Sequence, residues 1–231
     1  MDVEKYKDRI AEAVTHFWTI RNKQGIAGKN NDRGHRGAVT GGKQLDGIVE
    51  LFSFVAIDNG IPESWLHSRN STLPGYFRPT KNWDLLIISD KNELIAVLEC
   101  KSQITSFGNN YNNRTEEALG SAIDLWTAYR ENGYGHQVAP WLGYVTLIGK
   151  NEESMRPVMV KSPHFDARHE FESLSYLLRY NQLCMKLISE RHYNAACVIA
   201  TEPNHSFESL SDMTSIQTFL RSFIAHINSR I

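Results

Sequence analysis

The sequence predicts an α/β fold in which a mixed central β-sheet of roughly four to six strands is flanked by helices. Segments with helical apolar spacing alternate along the chain with short apolar runs that are typical of buried strands. The run LIAVL, residues 94–98, is continuously apolar, as in a central strand buried on both faces. No Pro-, Gly- or Ser-rich linker divides the 231 residues, so we expect a single domain spanning 1–231.

The helices are predicted from apolar residues that recur every three or four positions. In the first helix, Tyr6, Ile10 and Phe17 fall on one face; in the second, Ile48 and Phe52 do so. The predicted helices are residues 3–23, 43–58, 114–131, 170–190 and 211–228. Asn113 is the expected N-cap of the third, with Glu116 three residues later as in a capping box.

The strands are predicted from short apolar runs bounded by turn residues. Residues 83–90 and 93–102 form two adjacent strands with a turn at Asp90–Asn92, and further strands follow at 141–149 and 194–201. The remaining segments are expected to be irregular: the Gly- and Asn-rich residues 25–42, the Pro-containing residues 61–82, the polar residues 103–113 and the charged residues 150–168.

Composition restricts the class of protein. The formal net charge is −1, so any nucleic-acid surface must be a local basic patch. The three cysteines lack metal-ligand spacing, and a reduced, intracellular thiol state fits them best. With no signal-peptide-like apolar stretch and no run of about 20 apolar residues, we expect a cytoplasmic protein.

The strand pair carries a candidate catalytic pattern. Asp84 stands at the start of the first strand, and Glu99 and Lys101 stand near the end of the second. Because side chains alternate across a strand, Glu99 and Lys101 share one face and Cys100 points to the other. Two acids and a lysine in this arrangement could hold a divalent metal beside a phosphate, as in PD-(D/E)xK nucleases. The alternative is a strand that emerges into solvent with an incidental ion pair.

A further acid could reach the metal from the helix at 43–58. Asp46 and Glu50 are four residues apart and lie together at the edge of its apolar face. We favour Glu50, which is one turn deeper in the helix, as a fourth catalytic residue. Solvation of both acids is the alternative.

Polar and basic residues near the strand pair are candidate DNA contacts. The amides of the Asn-rich segment can pair with base edges, and Arg114 can bind a guanine or a phosphate. Residues 25–42 are either a surface connection or a basic arm that orders on phosphate. The candidates for bases are Asn109, Asn110, Asn112, Asn113 and Arg114; those for phosphates are Arg36, Lys43, Arg78 and Lys81.

Longer stretches resemble the XhoI family of type II restriction endonucleases. The resemblance covers most of the chain in order and is weakest in the first 30 residues and after about residue 192. It rests on GGKQLDG (41–47), LPGYFRPTKNWDLLI (73–87), ECKSQITSFGNNYNNRTEEALGSAIDLW (99–126), APWLGY (139–144), SPHF (162–165) and SLSYLLRYNQLCMKLI (173–188).

The resemblance implies a homodimeric, Mg²⁺-dependent enzyme that cuts double-stranded DNA within a short palindrome. For that family the site is CTCGAG, cut after the first C to leave a four-base 5′ overhang, with a cognate DNA methyltransferase protecting the host. By position, Asp84, Glu99 and Lys101 are the catalytic residues. Asp84, Glu99 and the carbonyl of Cys100 are expected to hold the metal. The proline of the PD motif is absent, since Trp83 precedes Asp84.

Other readings of the chain predict different activities. A repair or junction-resolving nuclease would keep the chemistry and change the substrate. A catalytically silent DNA-binding module would have no need of Asp84, Glu99 and Lys101 together. A metal-free hydrolase using Ser162 and His164 has little support, because no oxyanion loop such as G-x-S-x-G is present.

Overall fold

The computed structural model describes the backbone of residues 2–29 and 43–231, and the side chains of 2–23 and 43–231. Six α-helices are described: α1 (Lys7–Lys29), α2 (Asp46–Asp58), α3 (Phe107–Arg130), α4 (Glu152–Met155), α5 (Tyr176–Ser189) and α6 (Ile216–Asn228). Eight strands accompany them: β1 (Leu66–His67), β2 (Thr72–Pro74), β3 (Thr80–Asn82), β4 (Leu85–Ile88), β5 (Leu94–Gln103), β6 (Trp141–Gly149), β7 (Ala195–Thr201) and β8 (Phe207–Ser209).

Six of the strands form one mixed sheet in the order β1-β4-β5-β6-β7-β8. The central strands β5, β6 and β7 run parallel, and β4 pairs antiparallel with β5. The short strands β1 and β8 close the two edges in antiparallel pairing. The α/β prediction is therefore confirmed. Strands β2 and β3 form a separate antiparallel hairpin beside the sheet.

Helices cover both faces of this sheet. On one face, α1, α2 and α6 bury a core that includes Phe17, Phe52 and Phe223. On the other, α3 and α5 bury a core that includes Leu125 and Tyr180. Because β5 and β6 are covered on both sides, nearly all their residues are buried. This explains the continuously apolar sequence of these strands.

Several sequence-based predictions of secondary structure were wrong. Residues 61–82 and 150–168 were expected to be irregular, but β1, β2 and β3 lie in the first segment and α4 in the second. The segment after the first helix was predicted as loop from residue 25, but α1 continues to Lys29. Residues 103–113 were predicted as loop, but α3 begins at Phe107, so Asn113 is not its N-cap. The rings of Phe107 and Tyr111 pack near Tyr176, which stabilises two extra turns that the asparagines alone disfavour.

Gly143 provides a test of packing in the sheet. A Cβ atom at this position would lie 2.3 Å from the Trp141 ring and 2.7 Å from the Phe219 ring. We expect Gly143→Ala to lower the free energy of unfolding by about 1–3 kcal/mol, because both rings must move. Urea denaturation measures the change. Gly120→Ala in α3 is the matched control, because its Cβ would meet nothing within 4 Å. Equal stability of both variants would contradict this view of the core.

Within the described part of the chain, no helix combines the length and apolar character that crossing a bilayer requires.

Candidate active site

The predicted strand pair brings Asp84 directly beside the end of β5. Asp84 precedes β4, and its backbone N–H donates to the carbonyl of Leu98 at 3.1 Å. Since Leu85 is paired with Leu98, Asp84 comes next to Glu99 in the antiparallel register. The Cys100 amide donates to Asp84 Oδ2 at 2.6 Å, which fixes the carboxylate against β5. The Cys100 side chain is buried in the core of the opposite face, as alternation predicted.

Glu99 is buried, with only 2% of its surface exposed. Each carboxylate oxygen accepts from a different lysine: Lys81 Nζ lies 2.8 Å from Oε2, and Lys101 binds Oε1. The two lysine side chains are themselves 13% and 25% exposed. A buried carboxylate is therefore compensated by two cations, of which sequence spacing predicted only Lys101.

The environment of Asp84 disfavours its charged form. Burial raises the pKa of Asp84 to about 6, and the nearby charge of Glu99 adds to the rise. The Cys100 amide, Lys101 and Lys81 oppose this rise without cancelling it. A cation bound beside Asp84 would therefore favour the ionised form of its carboxylate.

Lys101 is expected to be charged at neutral pH. Burial lowers its pKa, but the charge of Glu99 and its hydrogen bond to Glu99 outweigh burial, so the pKa lies above the usual value. In this arrangement Lys101 can orient a water or stabilise negative charge on a phosphate.

Asp84 and Lys101 open into a cavity of about 400 Å³ at the end of β5. Residues from three other segments complete its wall: Arg21 from α1, Gln44 before α2, and Asn110 and Arg114 from α3. Arg21, Arg114 and Lys101 place three cationic side chains in one concave site. Their positive charge can bind a phosphate group, and the carboxylate of Asp84 lines the same cavity.

Gln44 was missed by sequence reasoning. It is 8% exposed, and its Nε2 donates to Ser102 Oγ at 2.8 Å. Its Oε1 is buried with no donor among the described residues. A polar side chain at a helix start that interrupts an apolar face could have drawn attention to it. Arg21 gave no such signal, because its contact with the cavity depends on how α1 packs.

The structure places the predicted DNA contacts in different settings. Asn110 and Arg114, four residues apart in α3, line the catalytic cavity, and Arg114 Nε is buried without a partner among the described residues. Asn109, Asn112 and Asn113 on α3 and Lys43 before α2 are exposed, and so is Arg78, which pairs with Asp124 at 2.9 Å. The remaining phosphate candidate that the structure describes, Lys81, is only 13% exposed and binds Glu99. Arg36 lies outside the described residues.

The structure does not bring Glu50 into this cavity. Glu50 is exposed and lines a separate cavity between α1 and α2, together with Arg9 and His16. Asp46 is exposed as well and does not line the catalytic cavity. Helix α2 reaches the site through the preceding residue Gln44 instead. Ser162 and His164 are exposed in the segment between α4 and α5.

The donor set fits a hard divalent cation. Mg²⁺ is bound in many nucleotide-handling sites by one or two carboxylates, with water and phosphate completing the shell. Asp84 supplies a carboxylate in the cavity, and Gln44 Oε1 is an oxygen there that accepts no hydrogen bond from the described residues. Glu99 does not line the cavity itself, but its carboxylate and the carbonyl of Cys100 lie beside Asp84 on β5 and would add further oxygens. Among residues 2–23 and 43–231, no three His, Cys, Asp or Glu side chains form a metal cluster.

Comparisons of the sequence with known proteins point to one family. Residues 23–211 match the family model described as restriction endonuclease XhoI. The type II restriction enzyme BstVI of Geobacillus stearothermophilus is 41% identical over 216 residues, covering 89% of this chain and 95% of that protein. The type II restriction enzyme XhoI of Xanthomonas vasicola is 42% identical over 197 residues, covering 81% and 77%. AbrI of Azospirillum brasilense, also a type II restriction enzyme, is 44% identical over 172 residues, covering 71% and 76%. No solved structure matches the chain.

Proposed function

This chain belongs to the XhoI family of type II restriction endonucleases, and from that premise we propose that it hydrolyses DNA at CTCGAG with Mg²⁺. The cut falls after the first C and leaves a four-base 5′ overhang. The observation that carries the proposal is the meeting of Asp84, Glu99 and Lys101 at the end of β5, beside a cationic cavity. Double-stranded DNA is the substrate of restriction endonucleases, and the three cations of the cavity suit its backbone.

The catalytic groups have separate roles in this proposal. Asp84, Glu99 and the carbonyl oxygen of Cys100 hold the cation. When bound, the cation polarises the scissile phosphodiester and makes water a better nucleophile. Lys101 orients the attacking water and stabilises charge on the phosphate, and Arg21 holds the phosphate in the cavity.

The reaction is a hydrolysis at phosphorus. The water oxygen forms a bond to phosphorus, and the bond from phosphorus to the 3′ oxygen breaks. The water loses a proton, and the departing 3′ oxygen takes one up. The products are a 5′ phosphate and a 3′ hydroxyl, and the two carboxylates and Lys101 return unchanged.

The wider assembly follows from the palindromic site. Two copies of one reading surface match two half-sites, so we propose a homodimer. The helices α2 and α5 are our candidates for the dimer surface. A cognate DNA methyltransferase protects the host sequence, and the prokaryotic cytoplasm is the compartment where both act.

A single digestion tests the function. Plasmid DNA with one CTCGAG sequence is incubated with the enzyme and Mg²⁺, and the fragment ends are sequenced. We expect one discrete cut per site with the overhang TCGA. Discrete cuts at another sequence would correct the specificity, whereas nicking or a preference for branched DNA would favour a repair or junction-resolving nuclease. Binding without cleavage in Mg²⁺ and in Mn²⁺ would favour a silent DNA-binding module.

Arg114 is expected to read a base. We expect Arg114→Ala to weaken binding to the cognate duplex by about 1–3 kcal/mol and to relax discrimination at one position, because a bidentate contact to a base edge is lost. Binding to duplexes with each single-base change measures this. Arg191→Ala, an exposed arginine after α5, is the charge-matched control. Equal losses on all sequences would instead assign Arg114 to a phosphate.

A further inference from the structure

Both carboxylate oxygens of Glu99 bind lysine ammonium groups in this structure. Lys81 binds Oε2 at 2.8 Å, and Lys101 binds Oε1. A divalent cation at Glu99 would bring a third centre of positive charge against the two ammonium groups in a largely buried site. Repulsion between these charges favours the release of one lysine from the carboxylate when the cation binds.

Lys101 and Lys81 differ in their freedom to leave. Lys101 is two residues from Glu99 on the same face of β5, so the strand backbone keeps it beside the carboxylate. Lys81 comes from strand β3 of the separate hairpin, 18 positions before Glu99. Its ammonium also lies 4.3 Å from the centre of the Trp83 ring, so it has a second contact that does not depend on Glu99.

The hairpin that carries Lys81 reaches the surface near the catalytic site. Its turn exposes Tyr76 and Phe77, at 53% and 69%. Asp124 of α3 holds this turn by accepting from the amides of both residues and from Arg78 Nε. The hairpin is thus anchored to the same helix that supplies Asn110 and Arg114 to the cavity.

We propose that Lys81 is a positioning residue that occupies Glu99 in the absence of DNA and exchanges it for a DNA phosphate. The exchange frees Glu99 Oε2 for the cation, so DNA binding and cation binding strengthen each other. Free enzyme then binds the cation weakly, and the catalytic set is completed only on DNA. This inference rests on the proposed function, because it takes Glu99 as a cation ligand.

Calcium titration of the whole protein tests the exchange. Isothermal titration calorimetry measures Ca²⁺ affinity with and without a duplex containing the recognition sequence, and a gel checks that the duplex remains intact. Lys81→Met removes the ammonium and keeps an apolar chain against Trp83. We expect free Lys81→Met to bind Ca²⁺ about tenfold more tightly than the wild type, and DNA to enhance its Ca²⁺ affinity less. The salt dependence of DNA binding by Lys81→Met should be weaker than that of the wild type, by the amount expected for the loss of about one phosphate contact.

Two control variants accompany the titration. Lys91→Met, in the exposed turn between β4 and β5, makes the same charge change and should match the wild type. Lys81→Arg keeps the charge and should also match it. Thermal unfolding in EDTA verifies that each variant is folded. Unchanged or weaker Ca²⁺ affinity of free, folded Lys81→Met would overturn the exchange.

Glu99→Gln separates this inference from the proposed function. If Glu99→Gln binds Ca²⁺ as well as the wild type, Glu99 is not a cation ligand, and both proposals fail. If Glu99→Gln loses Ca²⁺ binding while Lys81→Met shows no tightening, only the role of Lys81 fails. If Glu99→Gln loses Ca²⁺ binding and Lys81→Met binds Ca²⁺ more tightly than the wild type, both proposals are supported.

Discussion

Asp84→Asn is expected to lower the DNA cleavage rate by about three orders of magnitude while making the metal-free protein more stable above about pH 6. The loss of rate follows from the loss of a charged cation ligand. The gain in stability follows from the burial of Asp84 beside Glu99, which raises its pKa from 3.8 to about 6. We therefore expect the negative charge of Asp84 to serve cleavage and to destabilise the folded, metal-free protein.

The sign of the pH dependence follows from the raised pKa. Above about pH 6, Asp84 is ionised in both the folded and the unfolded protein, and the folded state bears the cost of the buried charge. Below the unfolded pKa of 3.8, both states are protonated and this cost vanishes. We therefore expect Asp84→Asn to add about 1–3 kcal/mol to the free energy of unfolding near pH 8 and little near pH 4.

Urea denaturation in EDTA at several pH values measures this gain, and a plasmid digestion measures the loss of rate. Asp90→Asn, in the exposed turn between β4 and β5, makes the same chemical change away from the cavity and should alter neither quantity. Near-normal cleavage by Asp84→Asn would remove Asp84 from the catalytic set. A loss of stability near pH 8 would contradict the burial argument.

Glu99→Gln is expected to lower the cleavage rate by about three orders of magnitude as well. Unlike Asp84→Asn, it should lower the free energy of unfolding. Its carboxylate compensates both Lys81 and Lys101, which are largely buried. A neutral amide removes the anion that both largely buried ammonium groups bind, so we expect the free energy of unfolding to fall by about 2–4 kcal/mol. The two acids of one site thus differ in the sign of their effect on stability.

Urea denaturation at neutral pH in EDTA compares Glu99→Gln with the wild type. Glu131→Gln, exposed after α3, is the surface control and should leave stability and cleavage unchanged. Adding Lys81→Met to Glu99→Gln should recover part of the lost stability, because one unpaired buried cation is removed. An additive further loss in the double variant would show that Lys81 stabilises the fold through other contacts.

Local pattern in the sequence was enough to predict the strand pair and the placement of its three candidate catalytic groups. Turn residues at 90–92 set the hairpin, and Asn92 does adopt the left-handed conformation, with φ of 62°. Alternation along β5 placed Glu99 and Lys101 on one face and Cys100 on the other, as the core contacts confirm. These features depend on neighbours a few residues apart, which a local pattern encodes.

The start of α3 was decided by tertiary packing. Its first turns carry asparagines that are poor helix formers, and the sequence alone favoured a loop. Packing of Phe107 and Tyr111 near Tyr176 of α5 offsets that preference. As a result, Asn110 and Arg114 share one side of a helix and line the catalytic cavity.

The fold class, the strand pair and the candidate catalytic acids and lysine could all be predicted from pattern along the chain. The distant side chains that join them could not, because tertiary packing brings them there. Lys81 binds Glu99 from a separate hairpin, and Arg21 and Gln44 enter the cavity from segments that precede the strands by more than 35 residues. Those contacts depend on how whole elements pack against one another, and no periodicity along the chain records that packing.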